Sequence, residues 1–302
     1  MSTKRFYAHG KLMLTGEYAV LDGAKSLAIP TKFGQSLVVS ELLDTSHQIE
    51  WRGYNSKNEL WLSANLPDNV SKKEEVLRLQ NILKALEELN PNLFYQNNFA
   101  AETVLEFPNN WGLGSSSTLI SLLAQWGEVD PFDMLQRTFG GSAYDIACAT
   151  ANGPICYQLL NGKAKWHELA LAREWTDHAY FVFLEQKQNS RDGIKHYRGL
   201  KNTEGLIEKI NKITDALGQV KDVTKAINLF EEHESIMSEV LKLPSINEAR
   251  FNDFAGVCKS LGAWGGDFFM AVSNTNKNYI TEYFAKKGLK TIFAYKDMIW
   301  SQ

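Results

Sequence analysis

The sequence predicts an α+β protein in two lobes, divided near residue 170. Three observations carry this expectation. A chain of 302 residues with 44% hydrophobic content can bury a large core, and at this length it divides more readily than it forms one body. Up to about residue 106 the texture is strand-like alternation interrupted by one helical pattern, and then helical periodicity takes over. The apolar run "HAYFVFLEQ" then opens a second mixture of helices and strands, the order expected of α+β architecture. The expected lobes are 1–170 and 171–302.

Within the first lobe, "RFYAHGKLMLTG", "QSLVVSELL", "HQIEWRG", "ELWLSANL" and "FAAETVLEF" each alternate as half-buried strands do. Between the last two, "SKKEEVLRLQNILKALEEL" reads as a helix. Ser71 and Glu74 have capping-box spacing, Val76, Leu79, Ile82, Leu83 and Leu86 share one face, and Asn90-Pro91 stops the run. Residues 115–151 are helical in pattern, and "GPICYQLL" with "AKWHEL" reads as a hairpin. In the second lobe the strand "HAYFVFLEQ" precedes helical patterns over 203–217, 222–241 and 245–260. Strand, helix and strand follow in "DFFMAVS", "KNYITEYFAKKG" and "KTIFAY".

Composition excludes several classes of function. Lys and Arg number 32 against 35 Asp and Glu, a net charge of −3 with no basic block, so neither nucleic acid nor an anionic membrane is an expected partner. A small molecule is. Cys148, Cys156 and Cys258 are odd in number and contain no CxxC, which argues against a disulfide framework and a thiolate zinc site. The six histidines lack ligand spacing. No segment has a signal peptide's apolar core, or the roughly 18 unbroken apolar residues of a membrane span, and the expected location is the cytoplasm.

The stretch "PNNWGLGSSSTLISLLAQW", residues 108–126, places Gly112, Leu113, Gly114, Ser115, Ser116 and Ser117 between a strand and a helix. Unpaired amides and the positive end of a helix dipole gather at such a point and favour an anion, while the alternative is a glycine turn with serine N-caps. A Walker A loop would need Lys after the last Gly, and a dinucleotide fingerprint would need Gly at 117. Any phosphate is therefore bound in another manner. Three further segments look like parts of the same site: "AHGKLMLTGEYAVLDGA" with Lys11 ahead of Gly16-Glu17, "GGSAYDIACATANG" with Asp145, and "SLGAWGGDFFMAVS" with a second glycine loop.

With these four motifs, in this order and spread over nearly the whole chain, the sequence resembles the GHMP kinases, the family of galactokinase, homoserine kinase, mevalonate kinase and phosphomevalonate kinase. Pro108–Ser116 fits the family signature P-x-x-x-G-L-G-S-S position by position. The resemblance implies a ribosomal protein S5 domain 2-like N-terminal lobe, a ferredoxin-like C-terminal lobe, and ATP with Mg²⁺ held between them. It implies that Gly112 to Ser117 wrap the phosphates with Ser116 on Mg²⁺, and that Lys11 lies between donor and acceptor oxygens. Asp145 would take or orient the acceptor proton. Gly262, Gly265, Gly266 and Asp267 would form the C-terminal glycine loop, and Lys187, Ser190 and Arg191 would bind the acceptor.

Phosphoryl transfer asks a protein mainly for positioning and for positive charge, which Lys11, Mg²⁺ and a helix N-terminus would supply. The Glu-Tyr pair at 17–18, the terminal Asp of "GAWGGD" and the segment "GSAYDIACATANGPICYQ" look closest to phosphomevalonate kinases. Against this, a phosphate acceptor with a second pKa of about 6 hardly needs a base, so Asp145 suits a hydroxyl acceptor as in mevalonate kinase. The expected activity is phosphomevalonate kinase first and mevalonate kinase second, as monomer or homodimer. Mevalonate diphosphate decarboxylase or an inactive nucleotide-binding relative are further alternatives. Several residues depart from the family or lie outside its motifs. His9 replaces a usual Pro, Trp264 replaces a glycine and must cover the nucleotide or turn away, and Asp133 does not align as a second metal ligand. Glu17 is expected to be a structural acid and His233 a surface residue.

Overall fold

The structure, a computed structural model, describes residues 2–43, 48–67, 73–95, 97–185, 190–200, 205–262, 264 and 266–301, with backbone only at 190–192 and 277. In chain order the elements are β1 (Thr3–Met13), a 3-10 turn (Ala19–Asp22), β2 (Ser26–Leu42), β3 (Ile49–Tyr54), β4 (Leu60–Leu66), α1 (Glu74–Leu89), β5 (Asn98–Leu105), α2 (Ser115–Gly127), α3 (Pro131–Thr138), α4 (Tyr144–Ala149), β6 (Ile155–Leu160) and β7 (Lys163–Glu168). There follow α5 (Arg173–Thr176), β8 (Ala179–Phe183), α6 (Ser190–Arg198), α7 (Leu206–Leu217), α8 (Val223–Leu241), α9 (Ile246–Arg250), β9 (Val257–Ser260), β10 (Phe268–Val272), α10 (Lys277–Lys286), β11 (Ile292–Ala294) and α11 (Tyr295–Met298). The fold is α+β, as expected. Among the described residues no helix is long and apolar enough to cross a membrane.

Two compact units interleave in sequence. The first comprises residues 1–10, 33–109 and 113–150, and the second residues 11–32, 110–112 and 151–302. In the first, β3 pairs antiparallel with β4 and parallel with β5, and β5 pairs antiparallel with Gln35–Leu42 of β2. Alternation in β3 and β5 sends Trp51, Phe99 and Ala101 into a core shared with Leu79, Ile82 and Leu86 of α1 and Ile120, Leu123 and Trp126 of α2. Trp126 meets Phe99 and Phe94 edge-on at 5.0 and 5.5 Å, a geometry aromatic quadrupoles favour.

In the second unit Ser26–Ala28 of β2 pairs with β6, which forms the expected hairpin with β7. A separate antiparallel sheet runs in the order β11-β8-β10-β9. Every residue of β8, β9 and β10 is buried, which accounts for the continuous apolar runs of β8 and β10 where half-buried strands would alternate. Phe251, Phe254, Phe269 and Phe284 close one core. Leu206, Ile210, Met237 and Leu241 of α7 and α8 close another, against Tyr18, Tyr197 and Trp264.

Three sequence expectations need correction. α1 begins at Glu74 with Lys73 as N-cap and no side-chain cap, so no capping box forms, and Ser71 lies outside the described residues. The helical pattern over 245–260 ends at Arg250, and Val257–Ser260 is strand β9. Its four residues are too short to show a period and include a lysine where a buried strand should be apolar. β2 also begins nine residues before "QSLVVSELL", because its first half is buried almost throughout and lacks alternation.

Candidate active site

The mouth of α2 is open. Its N-cap is Gly114, in the left-handed region at φ 90°, ψ 47°, where a glycine carries no steric penalty, and no side chain caps the helix. The first intrahelical bond runs from the Thr118 N–H to the Gly114 carbonyl (3.0 Å), so the amides of Ser115, Ser116 and Ser117 precede the hydrogen-bond ladder. Ser117 is buried and donates its hydroxyl to the Gly114 carbonyl (2.8 Å), while Ser116 is exposed. The alternative of serine N-caps is not what forms. A 13-residue helix that is neither acidic in its first turn nor capped is suited to an oxyanion.

Residues Asn110–Gly112, just ahead of this mouth, belong to the second unit. Trp111 packs edge-on against Phe268 and Phe293, each at 5.5 Å. Lys11, half-buried near the end of β1, donates from Nζ to the Gly112 carbonyl (2.8 Å). Gly112 sits at φ +66°, and a Cβ there would lie 2.6 Å from Asp267 Cγ and overlap Oδ2. Asp267 is itself left-handed (φ 54°), and its carbonyl accepts the Leu184 N–H at 2.8 Å. Lys11, Gly112 and Asp267, drawn from three distant motifs, therefore meet. Trp111 carries no role in the sequence reading; its place inside the glycine motif was the available signal.

Gly112→Ala should consequently be costly. Positive φ and the clash with Asp267 act together, and either alone is worth about 1 kcal/mol or more. The expected result is a stability loss of about 2–4 kcal/mol in urea denaturation. A change below about 0.5 kcal/mol would mean that Asp267 does not press on this residue.

Asp145 is the second residue of α4, half-buried, and its Oδ1 accepts the Ile146 N–H at 3.1 Å. It is not an N-cap: Ala143 holds that position with φ 63° and no side-chain bond. α4 packs against α2, the helix that begins at Ser115.

Behind Lys11, the residues after β1 enter a buried ionic cluster. Lys259 (0% exposed) donates to Glu17 (1%) and stands 3.1 Å from Glu234 (3%), whose two oxygens accept the Ser260 N–H and hydroxyl at 3.1 Å each. His233 (0%) accepts the Gly16 N–H on Nε2 at 3.1 Å. Burial pushes Glu17 up to about 7 and raises Glu234, although Lys259 opposes both shifts. Burial also lowers Lys259, but the two carboxylates outweigh it and hold its pKa above the ordinary lysine value. His233 is held well below its usual range by burial and by the Lys259 charge, and stays neutral. The expectation of a surface histidine is thus overturned. Ile227, Phe230, His233, Glu234, Met237 and Leu241 are all buried on α8, and their three-to-four spacing was the missed signal. Glu17 is a structural acid, as expected.

Trp264 turns into the helical core with Tyr18, Tyr197 and Leu241, and its indole N–H donates to the Pro244 carbonyl at 3.2 Å. Gly262 takes φ 64° with open space where a side chain would sit, while Gly265 and Lys187 lie outside the described residues. Gly266 is buried. Ser190 and Arg191 form the first turn of α6. Among the described residues no three His, Cys, Asp or Glu stand together as a metal cage, and Asp133 is exposed in the first turn of α3. His9 does not break β1, which continues to Met13.

No protein-family model matches the sequence, and no curated protein matches it. Solved structures do match over nearly the full length. The phosphomevalonate kinase of Streptococcus pneumoniae, in complex with phosphomevalonate and AMPPNP, aligns with a TM-score of 0.72 at 19% identity, covering 96% of this chain and 98% of that one. The mevalonate kinase of Methanococcus jannaschii aligns at 0.69 and 16% identity over 97% of both chains. The galactokinase of Lactococcus lactis, complexed with galactose, aligns at 0.71 and 13% identity, covering 99% of this chain and 94% of that one. The chain has the fold of these GHMP kinases.

Proposed function

We propose that this protein is a GHMP-type kinase transferring the γ-phosphoryl group of ATP to a small acceptor, with phosphomevalonate the first candidate and mevalonate the second. The observation that carries the reading is the uncapped mouth of α2, continuous with a glycine gripped by Lys11. Amides in a row ahead of the helical ladder, together with a glycine turn, suit a polyphosphate, and the Streptococcus pneumoniae phosphomevalonate kinase, of the same fold, forms a complex with AMPPNP. ATP, when bound, supplies the phosphoryl group and its Mg²⁺ the counter-charge; a magnesium ion that keeps phosphate and water ligands needs only one or two protein oxygens, and Ser116 is assigned as one of them.

The remaining roles belong to backbone amides and side chains of this protein. The amides of Ser115 to Ser117 bind phosphate oxygens, and the Lys11 ammonium offsets the negative charge that builds up during transfer. Gly262, Gly265, Gly266 and Asp267 back the loop. Asp145 holds the acceptor's proton or orients its attacking oxygen. Lys187, Ser190 and Arg191 bind the acceptor's carboxylate and phosphate, for which a guanidinium is suited by its bidentate geometry. Phosphomevalonate leads because the Glu17-Tyr18 pair and the Asp267 ending resemble that branch in sequence.

The test is coupled ADP release with mevalonate, phosphomevalonate and mevalonate diphosphate, CO₂ release marking a decarboxylase. Turnover on phosphomevalonate alone is the expected result; tight ATP binding with no turnover on any of the three would indicate an inactive relative. Asp145→Asn sharpens the choice. Loss of a needed base costs about 10²–10⁴-fold, so turnover should fall that far with a hydroxyl acceptor and about tenfold or less with a phosphate.

A further inference from the structure

Tyr18 has an unusual backbone. It sits at φ 60°, ψ −45°, a region that bulky residues avoid, and such conformations persist only where the surroundings over-determine them. Three contacts, from two segments of the second unit, supply that constraint. The backbone N–H of Trp264, inside the C-terminal glycine loop, donates to the Tyr18 hydroxyl at 2.9 Å. The Tyr18 ring stacks on Tyr197 of α6, with centroids 5.8 Å apart and planes 19° apart. The same ring lies over Gly193 of α6, where an added Cβ would meet its Cε1 at 2.9 Å and overlap its hydroxyl. Next to Tyr18, Glu17 is fixed by Lys259, just ahead of the glycine loop, and Tyr197 donates to Asp22 at 2.6 Å.

One phenol therefore touches both α6 and the glycine loop. Trp264 makes the link rigid: in place of the family's glycine it roots the loop in the helical core beside the same tyrosine. A displacement of α6 pushes the Tyr18 ring, and a displaced ring breaks or moves its bond to the loop backbone. We propose that Tyr18 is a positioning residue linking α6 to the C-terminal glycine loop, so that acceptor and nucleotide binding depend on each other through it. The identity of the two ligands rests on the function proposed above; the contacts do not. Linkage of this kind is reciprocal, each ligand raising the affinity of the other by the same factor.

The experiment measures phosphomevalonate and mevalonate Kd by calorimetry, with and without AMPPNP, in wild type, Tyr18→Phe and Gly193→Ala. AMPPNP is expected to tighten the bound acceptor about fivefold or more in wild type, and less than about twofold in either variant. Tyr18→Phe keeps the ring and removes the acceptor of the Trp264 N–H. Gly193→Ala is a second route should Tyr18→Phe not fold, since alanine within a helix is ordinarily favourable and its effect here would come from the displaced phenol. A wild-type ratio near one, or a ratio retained in both variants, would overturn the proposal. Should wild type bind neither acceptor, or no AMPPNP, the functional reading fails separately. Hydrogen exchange then decides the link: faster exchange in both 190–198 and 257–268 on Tyr18→Phe is expected, and change confined to one segment or neither overturns it.

Discussion

Lys11→Met is expected to lower turnover by about 10²–10³-fold while leaving ATP affinity within a few-fold, the size of effect seen when one preorganised electrostatic donor is lost. Methionine keeps the length and apolar stem of lysine, so the packing of β1 changes little. What disappears is the ammonium, which donates to the Gly112 carbonyl at 2.8 Å directly before the open helix mouth. In the proposed reaction that charge matters more as the phosphoryl group separates from its leaving oxygen than in the bound ground state, so kcat suffers and binding does not. Loss of a hydrogen bond from a charged donor adds a stability cost of about 1.5–3 kcal/mol, which a denaturation curve separates from the kinetic effect. Steady-state rates and nucleotide titration check both parts, and an unchanged kcat would remove Lys11 from the chemistry.

Lys259→Met is expected to destabilise the protein by about 3–5 kcal/mol at neutral pH, because it strands two buried carboxylates. Glu17 and Glu234 lose their shared cation, and one or both must take up a proton to remain inside. The pH dependence follows with a definite sign. A carboxyl whose folded pKa is raised binds its proton more tightly in the folded state than in the unfolded one. Ionising Glu17 therefore removes stability as pH rises from its ordinary value of 4.5 to about 7. Losing the lysine extends this penalty, so the deficit of Lys259→Met should be smaller at pH 5 than at pH 8. Urea midpoints at the two pH values provide the test. A deficit under about 1 kcal/mol at both would show that the cluster is not held by an ion pair.

The parts of this architecture legible in sequence are those with a local physical cause. Alternation placed β3 to β5 because one face of each meets a core and the other does not. The glycine and serine run announced a strand-to-helix turn suited to an anion, but serines also cap helices, and it is Gly114 at the N-cap position that leaves this one uncapped. Lys11, Gly112 and Asp267 were picked out separately by motif, and two contacts, the Lys11 bond and the Asp267 carboxylate under Gly112, bring them to one place. Other features have no local cause. Lys259 is buried only because carboxylates distant in sequence neutralise it, so its own neighbourhood gives the wrong expectation; His233 lies on the buried stripe of α8, and only its partner, the Gly16 N–H, is remote. Trp111 and Tyr18 draw their meaning from contacts with β10 and α6, which no period in their own segments encodes. The short β9, covered on both faces, was hidden for the same reason.

Residues 11–32 pack with residues 151–302, and the partner that Glu17 requires lies 242 positions further along the chain. On the ribosome parts of this early stretch find partners sooner, as Ser26–Ala28 do in β6, but Glu17 has no counter-charge until residue 259 has been made. Its completion is thus a late, long-range event in synthesis, of the kind that is slow and leaves apolar surface waiting for cover. Expressing residues 1–150 and 151–302 as separate fragments would leave Glu17 in one piece and Lys259 and His233, which hold this segment, in the other.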